Sequence, residues 1–172
     1  MEELKLEANP QRFQLQTTRL TIRPLADRDR LMYCSLYTDP ELMQFIAPVM
    51  TMESAQHSFD IAVRLSKQQP FKRLFLALYQ HNVAVGMVGL SAVNPTLKQA
   101  EIGVLLAKTG RGQGFGQEAL DAVCRLFLQL NPEFSLYTDI DPGNAAAQHM
   151  VLQVGFKPDS QNDRLFWRKS GN

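Results

Sequence analysis

Residues 100–116 read Ala-Glu-Ile-Gly-Val-Leu-Leu-Ala-Lys-Thr-Gly-Arg-Gly-Gln-Gly-Phe-Gly, an apolar run followed by a turn rich in glycine. The run at 100–106 predicts a β-strand. A helix is predicted after the turn, because apolar residues recur at helical spacing at Leu120, Val123, Cys124, Phe127 and Leu128. The first turn of a helix leaves backbone N–H groups unpaired and carries partial positive charge. Glycines let several of these groups approach one anion, and Arg111 adds a cation. Residues 111–116 are therefore predicted to bind phosphate.

Two other interpretations of this turn stay open. The first is a tight connection without a ligand. The second is the dinucleotide-binding turn of an oxidoreductase, whose G-x-G-x-x-G pattern needs a glycine at the position of Gln117 and a ribose-binding acid for which Asp139 is a weak candidate. A P-loop is excluded because the chain contains no G-x-x-x-x-G-K-[ST].

The pattern along the rest of the chain predicts one mixed α/β sheet covered by helices. Further strands are predicted at 20–24, 74–79, 83–90, 136–140 and 165–167, the second and third of them as an antiparallel hairpin. Further helices are predicted at 27–38, 41–45, 51–68 and 144–154. Residues 1–172 are predicted to form a single domain in which 1–17 are a polar N-terminal lead-in.

Composition narrows the class of protein. Eighteen Lys and Arg against seventeen Asp and Glu give a formal charge of +1, which disfavours a partner such as bulk nucleic acid. Cys34 and Cys124 fall within helical apolar patterns and are predicted to be buried free thiols. The three histidines do not have a metal-ligand spacing, so no metal is predicted. The acidic N-terminus and the lack of a long apolar run predict a cytoplasmic protein away from the membrane.

Two motifs, one at residues 111–116 and one at 144–156, resemble motifs that occur in the same order in a known protein family. Arg111-x-x-Gly114-x-Gly116 is similar to the Q/R-x-x-G-x-G/A turn of the GNAT superfamily of N-acetyltransferases, and residues 144–156, Asn-Ala-Ala-Ala-Gln-His-Met-Val-Leu-Gln-Val-Gly-Phe, resemble its N-x-x-[SA]-x-x-[LV]-[YLV]-x-x-x-G-F helix. Residues 18–25 and 101–103 resemble the RimJ/RimL-like branch. The resemblance implies a GNAT-like fold, with a mostly antiparallel sheet, one splayed pair of parallel strands and helices on both faces.

The resemblance also implies acetyl-CoA as acyl donor, held where strands 100–106 and 135–140 splay apart. The pantetheine arm would pair with the first strand, at Val104, Leu105 and Leu106, and the N–H of Val104, at a bulge, would polarise the acetyl carbonyl. Asn144 would contact the arm near the thioester. The pyrophosphate would lie on the turn beside Arg111, held by the backbone of Gly112, Gln113, Gly114, Phe115, Gly116 and Gln117.

Acetyl transfer needs a neutral amine, so a base must take the amine proton. Glu101, which matches a glutamate used by many relatives, is the predicted catalytic base, with Asn144 beside the thioester. The family's usual proton donors are missing, because Ala147 and Val151 stand at their positions. Tyr137 is the candidate substitute, although CoA could also leave as a thiolate.

The acceptor is predicted to bind residues 28–60, a methionine-rich segment. The resemblance favours a protein N-terminal amine or a small amine, acetylated by a monomer or homodimer. Two other functions stay open: a CoA-binding sensor or scaffold without catalysis, and the nucleotide-binding oxidoreductase.

Overall fold

A computed structural model describes residues 6–159 and 166–170. Its strands are β1 (Leu15–Gln16), β2 (Thr21–Pro24), β3 (Leu74–Gln80), β4 (Val83–Asn94), β5 (Gln99–Leu106), β6 (Ser135–Asp139), β7 (Lys157–Asp159) and β8 (Phe166–Ser170). Its helices are α1 (Arg30–Tyr37), α2 (Pro40–Met43), α3 (Met52–Leu65), α4 (Phe115–Leu130) and α5 (Ala145–Gln153). Within these residues the strands form one sheet in the order β1-β2-β3-β4-β5-β6-β8-β7.

The sheet is mixed, as predicted. Of the pairs in the described part of the chain, β5 and β6 run parallel and the others antiparallel. The hairpin of β3 and β4 is confirmed, and β4 runs four residues further than the sequence pattern predicts, to Asn94. Because β5 and β6 are joined through a helix rather than a hairpin, α4 lies across the sheet between them.

Helices cover both faces because the apolar side chains of the central strands alternate. Leu76 and Leu78 belong to a core with α4 and α5, whose buried residues include Phe127 and Val151. Ala77, between the two leucines, faces the opposite core, which is built from α1 and α3. Cys34 and Cys124 are buried free thiols, as predicted.

Two terminal segments differ from the prediction. The lead-in is not simply polar, since Phe13 is fully buried against Phe71, with ring centroids 5.4 Å apart, and Leu15–Gln16 add a strand. The short strand β7 was not predicted, because Pro158 interrupts its pattern. The closing strand is present as Phe166–Ser170, while Leu165 lies outside the described residues.

Candidate active site

The parallel strands β5 and β6 separate after a short paired stretch. Their register joins Gln99, Ala100 and Glu101 to Ser135, Leu136 and Tyr137, and no later residues of the two strands are partners in the described structure. β5 nevertheless continues to Leu106 and β6 to Asp139. The two strands therefore form a V-shaped opening.

Backbone groups of β5 point into this opening. The carbonyl of Lys98 accepts from the N–H of Ser135 at 2.9 Å, and the carbonyl of Leu106 accepts from Nε of Arg111 at 3.1 Å. Because backbone polar groups alternate between the two edges of a strand, those of Val104 lie on the same edge. The predicted bulge at Val104 is wrong, since the register with β4 is regular from Gly86 to Ser91 and shifts only beyond it.

The helix that follows the glycine turn begins without a side-chain cap. Its N-cap is Gly114, in the left-handed region at φ 78°, with no side-chain hydrogen bond to the first turn among the described residues. By contrast, Asp39, Thr51 and Asn144 cap α2, α3 and α5 with their side chains. The first N–H groups of α4 are thus free for an anion.

The glycines of the turn keep it open on one side and closely packed on the other. Gly112 also has a positive φ, 73°, and an added Cβ there would meet nothing within 4 Å. A Cβ at Gly116 would lie 2.9 Å from Sδ of Met150 and 3.1 Å from Cδ1 of Leu106. Gly116 therefore lets α4 pack against α5 and β5, while Gly112 leaves space above the turn.

Arg111 is engaged by acidic residues of the opposite helix layer. Its NH2 donates to Oδ2 of Asp39 at 2.8 Å, and its NH1 lies 3.5 Å from Oε2 of Glu41. Oδ1 of Asp39 caps α2 at the same time, through the N–H groups of Glu41 and Leu42. Through these contacts Arg111 joins the end of β5 to the start of α2. Its predicted contact with the pyrophosphate stays a prediction.

A second arginine supports the turn and was not predicted. Arg19 donates from NH1 to the carbonyl of Gln113 at 2.7 Å and from Nε to Glu118 at 2.6 Å, and it lies over the Phe115 ring. These contacts cross about a hundred positions of sequence, so no local pattern could have indicated them. Arg19 fixes the shape of the turn from outside.

A cavity of about 350 Å³ fills the opening between β5 and β6. Of the predicted site residues it is lined by Glu101, Val104, Leu105 and Asn144, and also by the departures from the family pattern, Ala147 and Val151. Leu106, residues 111–117 and Tyr137 are not among its lining residues. A larger hollow near Arg125 and Lys157 lies away from these strands.

Glu101 is half-buried at the narrow end of the opening. Burial and, next, the negative charge of Asp139 raise the pKa of Glu101, while Arg73 and a hydrogen bond from Ser91 lower it to a smaller extent. A raised pKa makes the carboxylate a stronger base. Glu101, Tyr137 and Asp139 share one face of the sheet, because Glu101 and Tyr137 are register partners and side chains alternate along β6.

The other predicted catalytic residues have different surroundings. Burial, followed by the charge of Glu101, raises the pKa of Tyr137, which keeps its hydroxyl protonated at neutral pH. Asn144 accepts the N–H of Ala147 at 3.1 Å through Oδ1, which leaves its amide N–H₂ as the donor at the cavity. Asp139 lines the cavity beside Glu101, a role in the site that the sequence did not indicate.

An apolar segment between α2 and α3 crosses the mouth of the cavity. Phe45 and Ile46 line it, although they are 38% and 48% exposed. The ring of Phe45 approaches the β6–α5 loop so closely that a Cβ at Gly143 would lie 3.0 Å from Cε1. This segment falls within residues 28–60, where the acceptor was predicted.

The chain belongs to the GNAT family, because the family model of the acetyltransferase (GNAT) domain matches residues 19–157. It is an acetyl-CoA-dependent acyltransferase. N-acetyltransferase p20 of Bacillus licheniformis is 24% identical over 148 residues, which cover 84% of this chain and 83% of that protein.

Solved acetyltransferase structures share the fold. RimL, a ribosomal L7/L12 alpha-N-protein acetyltransferase in complex with coenzyme A, superposes with a TM-score of 0.78 at 15% identity, covering 92% of this chain and 98% of that one. Spermidine N-acetyltransferase from Vibrio cholerae, in complex with CoA and spermine, gives 0.72 at 16% identity, covering 89% and 94%. The prediction of a GNAT fold is confirmed, and RimL is among the structures that share it.

No helix within 6–159 or 166–170 is long and apolar enough to cross a bilayer. In the same ranges, no group of three or more His, Cys, Asp or Glu side chains has an arrangement that could hold a metal ion.

Proposed function

We propose that this chain transfers the acetyl group of acetyl-CoA to a primary amine by direct attack of the amine on the thioester. The observation that carries the proposal is the V-shaped opening between β5 and β6, in which the backbone edge of β5 and the half-buried Glu101 face one cavity. Its wide end lies towards a helix N-terminus without a side-chain cap.

The cofactor is proposed to bind along this opening. The N–H groups of the glycine turn and of the first residues of α4, from Gly112 to Gln117, would hold the pyrophosphate, since the N-terminus of α4 carries partial positive charge and has no side-chain cap. The pantetheine arm would pair with the edge of β5 around Val104, and the amide of Asn144 would donate to it. Apolar Ala147 and Val151 leave room for the arm on the α5 side.

The proposed acetyl transfer needs only groups of this site to stabilise charge and to take up the proton. The nitrogen lone pair of the amine attacks the thioester carbonyl carbon, and the N–H of Val104 stabilises the negative charge that develops on oxygen. The C–S bond then breaks, the amine proton passes to the Glu101 carboxylate, and CoA leaves as a thiolate. No proton donor is needed when CoA leaves as a thiolate, so Tyr137→Phe should retain most of the activity.

Thiol release tests the proposal. The protein is mixed with acetyl-CoA and a panel of primary amines, and free CoA thiol is measured together with the acetylated amine by mass. Amine-dependent release of both products is expected. Binding of acetyl-CoA without amine-dependent release by any member of the panel would contradict transfer to a primary amine.

A further inference from the structure

Asp39 joins two parts of the chain that are 72 positions apart. Its Oδ2 accepts a hydrogen bond at 2.8 Å from NH2 of Arg111, whose Nε donates to the carbonyl of Leu106 at 3.1 Å. The pair is largely shielded from solvent, since the side chains of Asp39 and Arg111 are 13% and 29% exposed. The hydrogen bond from Arg111 is the main cause that lowers the pKa of Asp39, so the carboxylate is ionised at neutral pH. Asp39 is therefore anchored to the end of β5.

The other oxygen of the same carboxylate begins α2. Oδ1 of Asp39 accepts from the N–H of Glu41 at 3.0 Å and from that of Leu42 at 3.4 Å, which satisfies the first amides of the helix. With four residues, α2 is too short to be stable alone, so its position depends on contacts at its ends. At its far end Met43 is buried. At its start, the contact with another part of the chain is the one that Asp39 makes with Arg111.

The segment that follows α2 reaches the cavity. The N–H groups of Ile46 and Ala47 donate to the carbonyl of Met43 at 2.9 and 3.2 Å, so the segment continues directly from the helix. Phe45 and Ile46 line the cavity between β5 and β6. The Phe45 ring also lies against the β6–α5 loop, where a Cβ added at Gly143 would lie 3.0 Å from Cε1. A displacement of α2 would therefore move one wall of the cavity.

From these contacts we infer that Asp39 is a positioning residue for the amine acceptor: its carboxylate ties α2 to Arg111 and so holds Phe45 and Ile46 across the mouth of the cavity. This inference rests on the proposed function, because it assigns the acceptor to the side of the cavity that these two residues cover. Asp39 itself does not line the cavity. Loss of its contact with Arg111 should weaken binding of the amine and leave the proposed acetyl-CoA site on β5 and α4 in place.

Three variants separate the ion pair from the helix cap and from net charge. Asp39→Asn has one oxygen in place of two, so it cannot both cap α2 and accept from Arg111. Asp39→Ser keeps a capping oxygen but is too short to reach Arg111 as well. Glu41→Gln is the matched control: it removes a charge from the same helix, but that side chain is 65% exposed and its oxygen lies 3.5 Å from NH1 of Arg111, a contact that should contribute little.

Amide hydrogen exchange tests the position of the segment without any acceptor. Exchange at the N–H groups of Ile46 and Ala47 is followed by NMR in wild type and in the variants. We expect it to be about tenfold faster or more in Asp39→Asn and Asp39→Ser, and to change by less than about twofold in Glu41→Gln, with the amides of β3 unaffected. Unchanged exchange in the two Asp39 variants overturns the inference. So does an equal acceleration throughout β3, which would report global destabilisation.

Kinetics test the effect on the acceptor. KM for the fastest amine of the thiol-release panel should rise about tenfold in Asp39→Asn, while kcat and the Kd of acetyl-CoA change by less than about threefold. An unchanged KM in an active variant, or an equal rise in Glu41→Gln, overturns the inference and leaves the proposed function intact. Failure of the wild type to acetylate any amine is a different result: it contradicts the proposed function, and the role of Asp39 towards the acceptor falls with it.

Discussion

Replacing Glu101 with glutamine removes the proposed base while keeping its size. General bases contribute about 10²–10⁴-fold to rates, and the lower value applies here because the backbone edge of β5 remains in place to polarise the carbonyl. We expect kcat/KM at neutral pH to fall by about 10²-fold, equivalent to ~2.7 kcal/mol of activation free energy. Acetyl-CoA affinity should stay nearly unchanged, since Glu101 lies at the acetyl end of the site.

The pH dependence separates loss of a base from general damage. A lysine-like amine titrates near ~10.4, so the deficit of Glu101→Gln should narrow as the pH approaches that value and the amine becomes neutral without help. Glu101→Gln should not reduce the stability of the folded protein. Because the folded pKa of Glu101 lies above its ordinary value of 4.5, its ionised form opposes folding at neutral pH, and removing the charge keeps or raises stability.

The assay follows CoA thiol release from pH 6 to 10 at saturating acetyl-CoA for wild type, Glu101→Gln and the control Glu53→Gln. Glu53 lies exposed in the first turn of α3. A Glu101→Gln profile parallel to that of wild type, or an equal loss in Glu53→Gln, would refute the assignment of the base. A large loss of acetyl-CoA affinity would place Glu101 in the cofactor site instead.

Three further changes have defined outcomes. Arg111→Gln should raise KM for the amine more than Kd for acetyl-CoA, because its guanidinium holds Asp39 at the acceptor side; the opposite order, from kinetics and calorimetry, would make it a pyrophosphate ligand. Asp139→Asn should move the acid limb of kcat/KM to lower pH, since Asp139 raises the pKa of Glu101, and an unmoved limb contradicts the coupling. Asp29→Asn should lower the free energy of unfolding by about 3–5 kcal/mol at neutral pH in denaturant titrations, since it breaks the buried ion pair in which NH1 of Arg23 lies 2.8 Å from Oδ2 of Asp29. Burial by itself raises the pKa of Asp29, but the hydrogen bonds from Arg23, Tyr79 and the Ala26 N–H together outweigh it and lower the pKa. This stabilisation is therefore present above the pKa of Asp29 in the unfolded chain and is lost as the pH falls towards its pKa in the folded protein; a loss independent of pH would contradict this sign.

Local chemistry explains what could be predicted. The strand–turn–helix around 100–130 follows from apolar periodicity and from the run of glycines, and the structure confirms all three elements. Two of these glycines, Gly112 and Gly114, have a positive φ. Helix α5 likewise begins at the capping residue Asn144. These features depend on neighbours within a few positions, which the sequence displays directly.

Contacts between residues that are distant in sequence could not be predicted. Arg111 pairs with Asp39 and Arg19 with Glu118, over 72 and 99 positions, and no periodicity encodes such contacts. The buried position of Phe13 also depends on tertiary packing against Phe71. The place of Asp139 in the site depends on the separation of β5 and β6, which directs the end of β6 towards the cavity.

Binding of acetyl-CoA at the glycine turn is the central claim, and calorimetric titration of wild type and Gly114→Glu tests it most directly. A glutamate at this left-handed position costs about 1–3 kcal/mol of backbone strain. Its charge about 4 Å from a phosphate adds ~4 kcal/mol at an effective dielectric constant near 20. Gln129→Glu, at the exposed far end of α4, controls for added charge. We predict micromolar binding to wild type and Gln129→Glu and none to Gly114→Glu; micromolar binding retained by Gly114→Glu, or no binding by wild type, would contradict the account.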